Sequence, residues 1–241
     1  MPKILYLITE LDIGGAEKNL FRLAVAARSR GYDVHVAALS GRGPVAAWLE
    51  RESIPVYFAD MDCKVSPFAF ARLVTIMRQV RPDILHTFLF HANVTGRLAN
   101  IFARISVVVS SIRVAERRRR SHLYMDFLTQ PLMDREVCVS DAVRDFTRDR
   151  AHIRADRLLV IPNPVDPPAP LRTREEVRRE LGVAPADILV LSVGRLDPQK
   201  GFLFLVEAAS LIVSQPDVKF FVAGEGAQRT EIEHAIHKAG L

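Results

Sequence analysis

Cysteine is scarce in this sequence of 241 residues. The two cysteines, Cys63 and Cys138, lie far apart, and neither belongs to a spacing typical of metal ligands. The sequence therefore predicts neither a disulfide framework nor a zinc site. A reduced, cytoplasmic setting is the expectation that follows.

Long hydrophobic runs are also missing. The longest apolar stretches have the length of a strand or belong to amphipathic helices, and none reaches the roughly 18 residues that a membrane span requires. Met1-Pro2-Lys3 leads directly into a strand-like segment, so we expect neither a signal peptide nor a transmembrane helix. The net charge of +5 favours anionic partners, and phosphates, acidic lipid headgroups and nucleic acid all remain open.

Short β-branched runs alternate with helical patterns along the first two thirds of the chain. Strands are predicted at KILYLI, DVHVAAL, VYFA, DILHTF, SVVVS, EVCVS and LLVIP, and helices at 15–30, 44–52, 67–79, 91–104, 121–134 and 140–149. Continuous apolar strands separated by helices predict a parallel sheet covered on both faces. We therefore expect a doubly wound, Rossmann-like α/β domain.

The segment IPNPVDPPAP interrupts this alternation. Its five prolines remove backbone donors and restrict φ, so neither a helix nor a central strand can continue. It predicts a linker between domains 1–166 and 167–241. The later alternation comprises a helix at 173–181, DILVLSVG, a helix from about 198 to 214, VKFFVAG and a helix at 227–239. Because two strands bury little apolar area, the second Rossmann-like domain is predicted to be incomplete.

Two cations flank the turn in SVGRLDPQKG. Asp197-Pro198 is a good helix start, so Arg195 and Lys200 are predicted to lie between the carboxyl end of a strand and a helix N-terminus. Ligands of open α/β sheets bind at this position, where the amides and the two cations favour an anion. The alternative is a pair of solvated loop residues.

Three stretches in the same order carry a family resemblance. VGRLDPQKG, GGAEKNL and VIPNPVD resemble the motifs of retaining nucleotide-sugar glycosyltransferases of the GT-B fold, family 4. The likeness covers essentially the whole chain but stops short of the family's C-terminal half-domain. It implies an acceptor-binding first domain, a second domain that binds the nucleotide sugar, and reaction in the cleft between them.

The resemblance assigns the donor diphosphate to Gly194, Arg195 and Lys200. Arg195 and Lys200 would neutralise the charge that develops as the nucleotide leaves, so no metal or other cofactor is expected. The donor is expected to be a UDP- or GDP-sugar.

Glycines at strand-to-helix turns mark further candidate ligand contacts. Gly14, Gly15, Gly224 and Gly226 could let a ligand approach the backbone closely, although a plain tight turn explains the same pattern. Because G-x-G-x-x-G is absent, a dinucleotide oxidoreductase or epimerase is disfavoured. Asn163 is a turn former by default, and the resemblance adds a place in the ligand cleft.

Histidines lie at both ends of one predicted strand-to-helix turn. His86 ends the strand and His91 begins the helix, where it is expected to share a crevice with Gly15. Many relatives carry a second histidine two residues after the first, at a position that is Phe88 here. His91 is our candidate for a catalytic contact to the sugar or to the acceptor hydroxyl, and a structural hydrogen-bonding role is the alternative.

A cluster of arginines precedes the helix at 121–134. Arg113, Arg117 and Arg118, with the two arginines that follow, suit an anionic membrane surface or a lipid-pyrophosphate acceptor. A solvated loop is the other interpretation. Nucleic acid is disfavoured, because the cluster lacks the interleaved aromatic residues and motifs of base readout.

An acidic triplet, Asp60-Met61-Asp62, resembles the metal-binding pattern of other glycosyltransferases. Such triplets also arise by chance, and the turn with Arg195 and Lys200 favours the metal-independent fold. We therefore predict no metal site.

These features together predict a metal-independent, retaining glycosyltransferase that acts on a glycan or lipid-linked acceptor. A role in cell-envelope or polysaccharide biosynthesis follows, in the cytoplasm or peripherally on the inner face of the plasma membrane. The resemblance places the family's paired glutamates, eight residues apart, beyond Leu241. An active transferase is therefore expected to have its remaining part supplied by another polypeptide or left out of this sequence. A truncated, non-catalytic acceptor-binding module is the alternative function.

Overall fold

The computed structural model describes residues 1–61, 66–114, 120–165, 169–212 and 214–241. The chain divides into two compact units, Met1–Val165 and Asp166–Leu241. The separate roles predicted for two domains stay a prediction.

The first unit alternates strands and helices from its N-terminus. Its elements are β1 (Lys3–Ile8), α1 (Gly15–Ser29), β2 (Asp33–Ala38), α2 (Pro44–Arg51), β3 (Val56–Phe58), α3 (Pro67–Val80), β4 (Ile84–Phe88), α4 (Phe90–Ala103), β5 (Val107–Ile112), α5 (Arg120–Thr129), β6 (Arg135–Cys138), α6 (Asp141–Arg150) and β7 (Leu158–Val160). Each predicted strand of this unit is confirmed within three residues at either end. The helix predicted at 121–134 ends earlier, at Thr129, and a short 3-10 turn follows it.

The strands of this unit form a parallel sheet in the order β3-β2-β1-β4-β5-β6-β7. Alternate residues of β1 enter two separate cores, because successive side chains of a strand point to opposite faces. Leu5 and Leu7 pack beneath α3 and α4, whereas Tyr6 and Ile8 pack beneath α1 and α2. The sheet is therefore covered on both faces, as the continuous apolar strands predicted.

The described part of the second unit contains α7 (Arg174–Glu180), β8 (Ile188–Val193), α8 (Phe202–Ser210), β9 (Val218–Ala223) and α9 (Arg229–Lys238). The two strands pair in parallel, and a small core of Leu196, Phe202, Val206 and Ile232 packs beside them. Leu191 and Val193 stay exposed on β8. This unit buries much less apolar surface than the first.

A buried ionic network lies beneath the seven-stranded sheet. Arg97 of α4 is completely buried and donates hydrogen bonds to Ser110 Oγ at 2.9 Å and Thr129 Oγ1 at 3.1 Å. Its guanidinium also contacts Asp126 Oδ1 at 3.1 Å and Glu136 Oε1 at 2.8 Å. One buried cation thus faces two buried carboxyl groups, and it ties α4, β5, α5 and β6 together.

The Glu136 carboxyl group makes stability depend on pH. Burial raises its pKa from 4.5 to about 7 against the opposing attraction of Arg97, and repulsion from Asp126 adds to the rise. Because the folded state holds this proton more tightly than the unfolded chain, stability contributed by Glu136 is lost as pH rises from about 4.5 through 7. Its second oxygen, Oε2, has no hydrogen-bond partner among the described residues.

We expect Glu136→Gln to reduce the loss of stability between pH 5 and pH 8 by roughly 2 kcal/mol. The amide keeps an oxygen for Arg97 and removes the group that must ionise in the core. Denaturant unfolding at the two pH values measures the effect. Glu180→Gln, at an exposed ion pair with Arg172, should retain the pH dependence of the unsubstituted protein. Equal pH dependence in all three proteins would contradict the prediction.

Candidate functional site

The carboxyl ends of the first seven strands meet at one edge of their sheet. The strand order reverses between β1 and β4, which are hydrogen-bonded neighbours. Ligands of open α/β sheets bind outside such a switch point. The structure brings the start of α1, with Gly14 and Gly15, and the start of α4, with His91, to this edge.

The two glycines at the start of α1 have different surroundings. A Cβ atom on Gly14 would overlap the carboxyl group of Glu17, whereas a Cβ atom on Gly15 would meet no atom within 4 Å. Glu17 is buried, and burial raises its pKa against the opposing hydrogen bond from its own backbone. Nearby Glu10 and Asp12 raise it further. Sequence reasoning missed Glu17, although an acid in the first turn of a helix was visible there.

His91 lies exposed in the first turn of α4. Its ring centroid is 5.3 Å from that of Phe90 and 5.8 Å from that of His122 on α5. The rings of Phe90 and His122 stack with a centroid distance of 3.6 Å. A three-ring cluster therefore links the beginnings of two helices, and sequence analysis did not identify His122 because it is distant along the chain.

The backbone that leads into α4 is strained at Leu89. Its φ of 71° and ψ of 156° lie in a region that is essentially restricted to glycine and that costs about 1–3 kcal/mol for other residues. Its carbonyl accepts a hydrogen bond from Asn93 N, and the Asn93 side chain contacts Thr87 Oγ1 and Ser111 O. Buried hydrogen bonds thus hold the turn that orients His91.

Phe88, two residues after His86, is completely buried. Its ring stacks on His86 at a centroid distance of 4.5 Å, and Arg113 Cζ lies 5.0 Å from the ring centroid. Burial, with a contribution from Arg113, lowers the pKa of His86 to about 3. His86 is therefore neutral at physiological pH, with Nε2 2.8 Å from Ser111 Oγ, and it serves as a structural residue.

Arg113 and Asn163 were predicted separately, and the structure places them in contact. Arg113 Nη1 donates to Asn163 Oδ1 at 2.5 Å. With its amide oxygen turned towards the guanidinium, Asn19 of α1 accepts from Nη1 at 3.0 Å and from Nη2 at 2.8 Å. Arg113 is half-buried, and burial lowers its pKa to about 10, so it remains protonated at neutral pH.

The rest of the predicted arginine cluster cannot be placed in the same way. Arg117 and Arg118 lie outside the described residues.

We name Arg113, Asn19 and Asn163 together the Arg113 cluster. Its side chains come from residues 50 and 94 positions away from Arg113 in the chain, so no local pattern could have predicted it.

The turn after β8 differs from the predicted helix start. Asp197 Oδ1 accepts from Gln199 N at 3.0 Å and caps only the short 3-10 turn Pro198–Lys200. Gly201 then adopts a left-handed conformation with φ of 70°, and α8 begins at Phe202. The prediction of a helix from about residue 198 was wrong by four residues, because the left-handed glycine separates the turn from the helix.

Arg195 and Lys200 are exposed on this turn. Neither forms an ion pair with any residue that the structure describes. The Lys200 Cδ atom lies 3.9 Å from the Cβ position of Gly194, so its alkyl chain runs beside that glycine. The turn therefore presents two uncompensated cations at the carboxyl end of β8, where an anion would be attracted.

The loops after β8 and β9 pack directly on each other. Gly194 N donates to Ala223 O at 3.0 Å. A Cβ atom on Gly224 would overlap the carbonyl oxygen of Gly194, and one on Gly226 would overlap that of Leu196. Contact between the loops thus explains why both positions are glycine, and ligand contact there stays a prediction.

Asp60 of the acidic triplet is paired with two arginines. Asp60 forms ion pairs with Arg42, at 3.3 Å, and with Arg72, while Asp62 lies outside the described residues. Within the described ranges, no group of three or more His, Cys, Asp and Glu side chains is placed to hold a metal ion. Nor does any helix of those ranges have the length and apolar character needed to cross a bilayer.

Comparison with protein families gives two adjacent matches. The model of Glycosyltransferase Family 4 matches residues 13–168, and that of Glycosyl transferases group 1 matches residues 173–241. The chain belongs to glycosyltransferase family 4. The family predicted from three short motifs is therefore confirmed.

Curated relatives of this family 4 chain are distant. The chain is 23% identical to the Escherichia coli UDP-Gal:alpha-D-GlcNAc-diphosphoundecaprenol alpha-1,3-galactosyltransferase, over 80% of this chain and 54% of that protein. It is 25% identical to one of the subunits of human phosphatidylinositol N-acetylglucosaminyltransferase, over 95% of this chain and 49% of that protein. The chain spans about half the length of the curated relatives it matches.

Solved structures confirm the predicted α/β fold of the GT-B type. Anabaena HepE in complex with UDP and glucose matches with a TM-score of 0.82 and 23% identity, over 100% of this chain and 67% of that one. Staphylococcus aureus TarM, in a complex that contains UDP, matches with a TM-score of 0.72 and 12% identity, over 100% of this chain and 76% of that one. At these identities the likeness establishes the fold alone.

Proposed function

We propose that the protein is a retaining, metal-independent glycosyltransferase that moves a sugar from a nucleotide diphosphate donor to a glycan or lipid-linked acceptor. The observation that carries the proposal is the pair of exposed cations on the turn after β8, Arg195 and Lys200, which form no ion pair with a described residue. Family membership supports it, as does the UDP found in complexes of HepE and TarM. A role in cell-envelope polysaccharide biosynthesis accords with the lipid-linked acceptor in the name of the E. coli relative.

In this proposal the two cations bind the donor diphosphate. The guanidinium of Arg195 supplies a planar fork of donors and the Lys200 ammonium a point charge. Both would stabilise the negative charge on the departing nucleotide, the task that a divalent cation performs in metal-dependent transferases. His91 is proposed to contact the sugar or the acceptor hydroxyl, and Gly15, where an added Cβ atom would meet no atom within 4 Å, lies at the same edge of the sheet.

A lipid-linked acceptor would bring the protein to the inner face of the plasma membrane. Helix α5 supports this part of the proposal, because Tyr124, Phe127 and Leu128 are exposed and follow exposed Arg120. Apolar and basic side chains on one segment suit an anionic bilayer surface.

The donor site is tested by calorimetric titration of UDP and GDP. We expect Arg195→Ala and Lys200→Ala each to weaken binding of the preferred nucleotide by more than about 1 kcal/mol, since each removes a charge-assisted contact. Arg172→Ala is the matched control, because Arg172 is an exposed arginine of the same unit that is already paired with Glu180. Unchanged affinity in both variants would remove Arg195 and Lys200 from the site.

A titration of the acceptor beside those of UDP and GDP separates the alternative function. A protein that binds neither nucleotide but retains affinity for an acceptor would be a non-catalytic acceptor-binding module. A protein that binds a nucleotide through Arg195 and Lys200 supports the transferase.

A further inference from the structure

Among the residues that the structure describes, the Arg113 cluster holds a cation without a counter-ion. No described carboxyl group lies within ion-pair distance of Arg113, and the partners of its guanidinium are the neutral amide oxygens of Asn19 and Asn163. Asn19 is itself buried, and the ring of buried Phe88 lies under the guanidinium. The described surroundings therefore orient the guanidinium without neutralising it.

The pattern of hydrogen bonds shows which donors remain. Asn19 accepts from both terminal nitrogens, and Asn163 accepts a second bond from Nη1. A guanidinium carries five N–H groups, so Nε–H and one N–H of Nη2 are left without an acceptor among the described residues. The Nε atom is buried and has no hydrogen-bond partner among the described residues. The N–H of Nη2 that no described residue accepts is therefore the donor left for a ligand oxygen.

The location of the cluster connects it with the acceptor side of the protein. Arg113 directly follows β5, at the carboxyl edge of the seven-stranded sheet, and Asn19 lies one turn into α1 beyond Gly14 and Gly15. This edge belongs to the first unit, whereas Arg195 and Lys200 belong to the second. The first unit thus has a cationic group of its own at this edge.

We infer that the Arg113 cluster binds a phosphate group of the acceptor, so that the acceptor is a phosphate-bearing molecule rather than a neutral glycan. Arg113 contacts the phosphate through the donors that its neighbours leave free, and Asn19 and Asn163 act as positioning residues. That the bound phosphate belongs to the acceptor rests on the proposed function, whereas the presence of an anion site at Arg113 does not.

The test measures binding of inorganic pyrophosphate by calorimetry to the full chain carrying Arg195→Ala and Lys200→Ala, which removes the proposed donor site. We expect measurable binding, and a loss of about tenfold or more when Arg113→Met is added, because a charge-assisted contact disappears while the stem still covers Phe88. Arg154→Met is the matched control, since exposed Arg154 is paired with Asp156 at the opposite edge, before β7. It should change the affinity less than twofold.

A second variant covers the case in which Arg113→Met does not fold. Arg113→Lys keeps the charge and the stem but loses the planar fork, and we expect it to bind pyrophosphate several-fold more weakly. Glucuronate in place of pyrophosphate distinguishes a carboxylate site from a phosphate site, and tighter binding of glucuronate would overturn the inference. Absence of pyrophosphate binding, or equal affinity in the folded Arg113 variants, would overturn it as well.

A parallel UDP titration keeps the two proposals separate. With Arg195 and Lys200 intact, Arg113→Met should leave the affinity for UDP unchanged. If the chain binds no nucleotide at all, the proposed function fails, while the pyrophosphate titrations still decide whether Arg113 binds an anion.

Discussion

Replacement of Arg97 by methionine is expected to lower the free energy of unfolding by about 3–5 kcal/mol at pH 7, the range for breaking one side of a buried ion pair. Arg97 is the cation that faces both Asp126 and Glu136, and all three side chains are buried. Methionine fills similar space but leaves two carboxyl groups in the core without a counter-ion. Denaturant unfolding of the full chain measures the change.

Two further measurements establish the cause of this loss. The triple variant Arg97→Met, Asp126→Leu, Glu136→Leu should recover most of the stability, because an apolar cluster of similar volume carries no charge to desolvate. The loss in Arg97→Met should also be smaller at pH 5, where the buried carboxyl groups can take up protons. A loss below about 1 kcal/mol at pH 7 would mean that the two carboxyl groups are solvated in the folded protein.

Substitution of Gly224 by alanine is expected to destabilise the second unit by about 3 kcal/mol, at the upper end of the usual cost of overpacking. The new methyl group would overlap the carbonyl oxygen of Gly194. No rotamer change can relieve this overlap, since the methyl carbon is bonded directly to the backbone of residue 224 and the carbonyl belongs to the backbone of Gly194. The loops after β8 and β9 would have to separate, with loss of the hydrogen bond from Gly194 N to Ala223 O.

Amide hydrogen exchange along β8 and β9, together with thermal unfolding, measures this effect. Gly15→Ala is the matched control, because the same substitution meets no atom within 4 Å at the first position of α1. It should leave stability unchanged or raise it by up to about 1 kcal/mol, through the higher helix propensity of alanine. Unchanged exchange in Gly224→Ala would show that the loops are not in contact.

The strands were predictable because their apolar runs are local features of the sequence. Apolar runs such as KILYLI and DILHTF report burial on both faces of a parallel sheet, and they became β1 and β4 with boundaries shifted by at most one residue. The helix predicted from residue 198 failed because Gly201 takes a left-handed conformation. Asp197 and Pro198 mark a turn start equally well, and nothing local distinguishes a 3-10 turn from a helix there.

The sequence by itself determined the α/β alternation, the two cations after β8 and the family, because strand periodicity and motif spacing are properties of neighbouring residues. Only the tertiary structure decided that Arg113 meets Asn19 and Asn163, that Arg97 faces two buried carboxyl groups, and that Gly224 lies against Gly194. Those contacts join residues that strand order and loop packing bring together across the chain. Their energies depend on burial, which no local pattern of residues records.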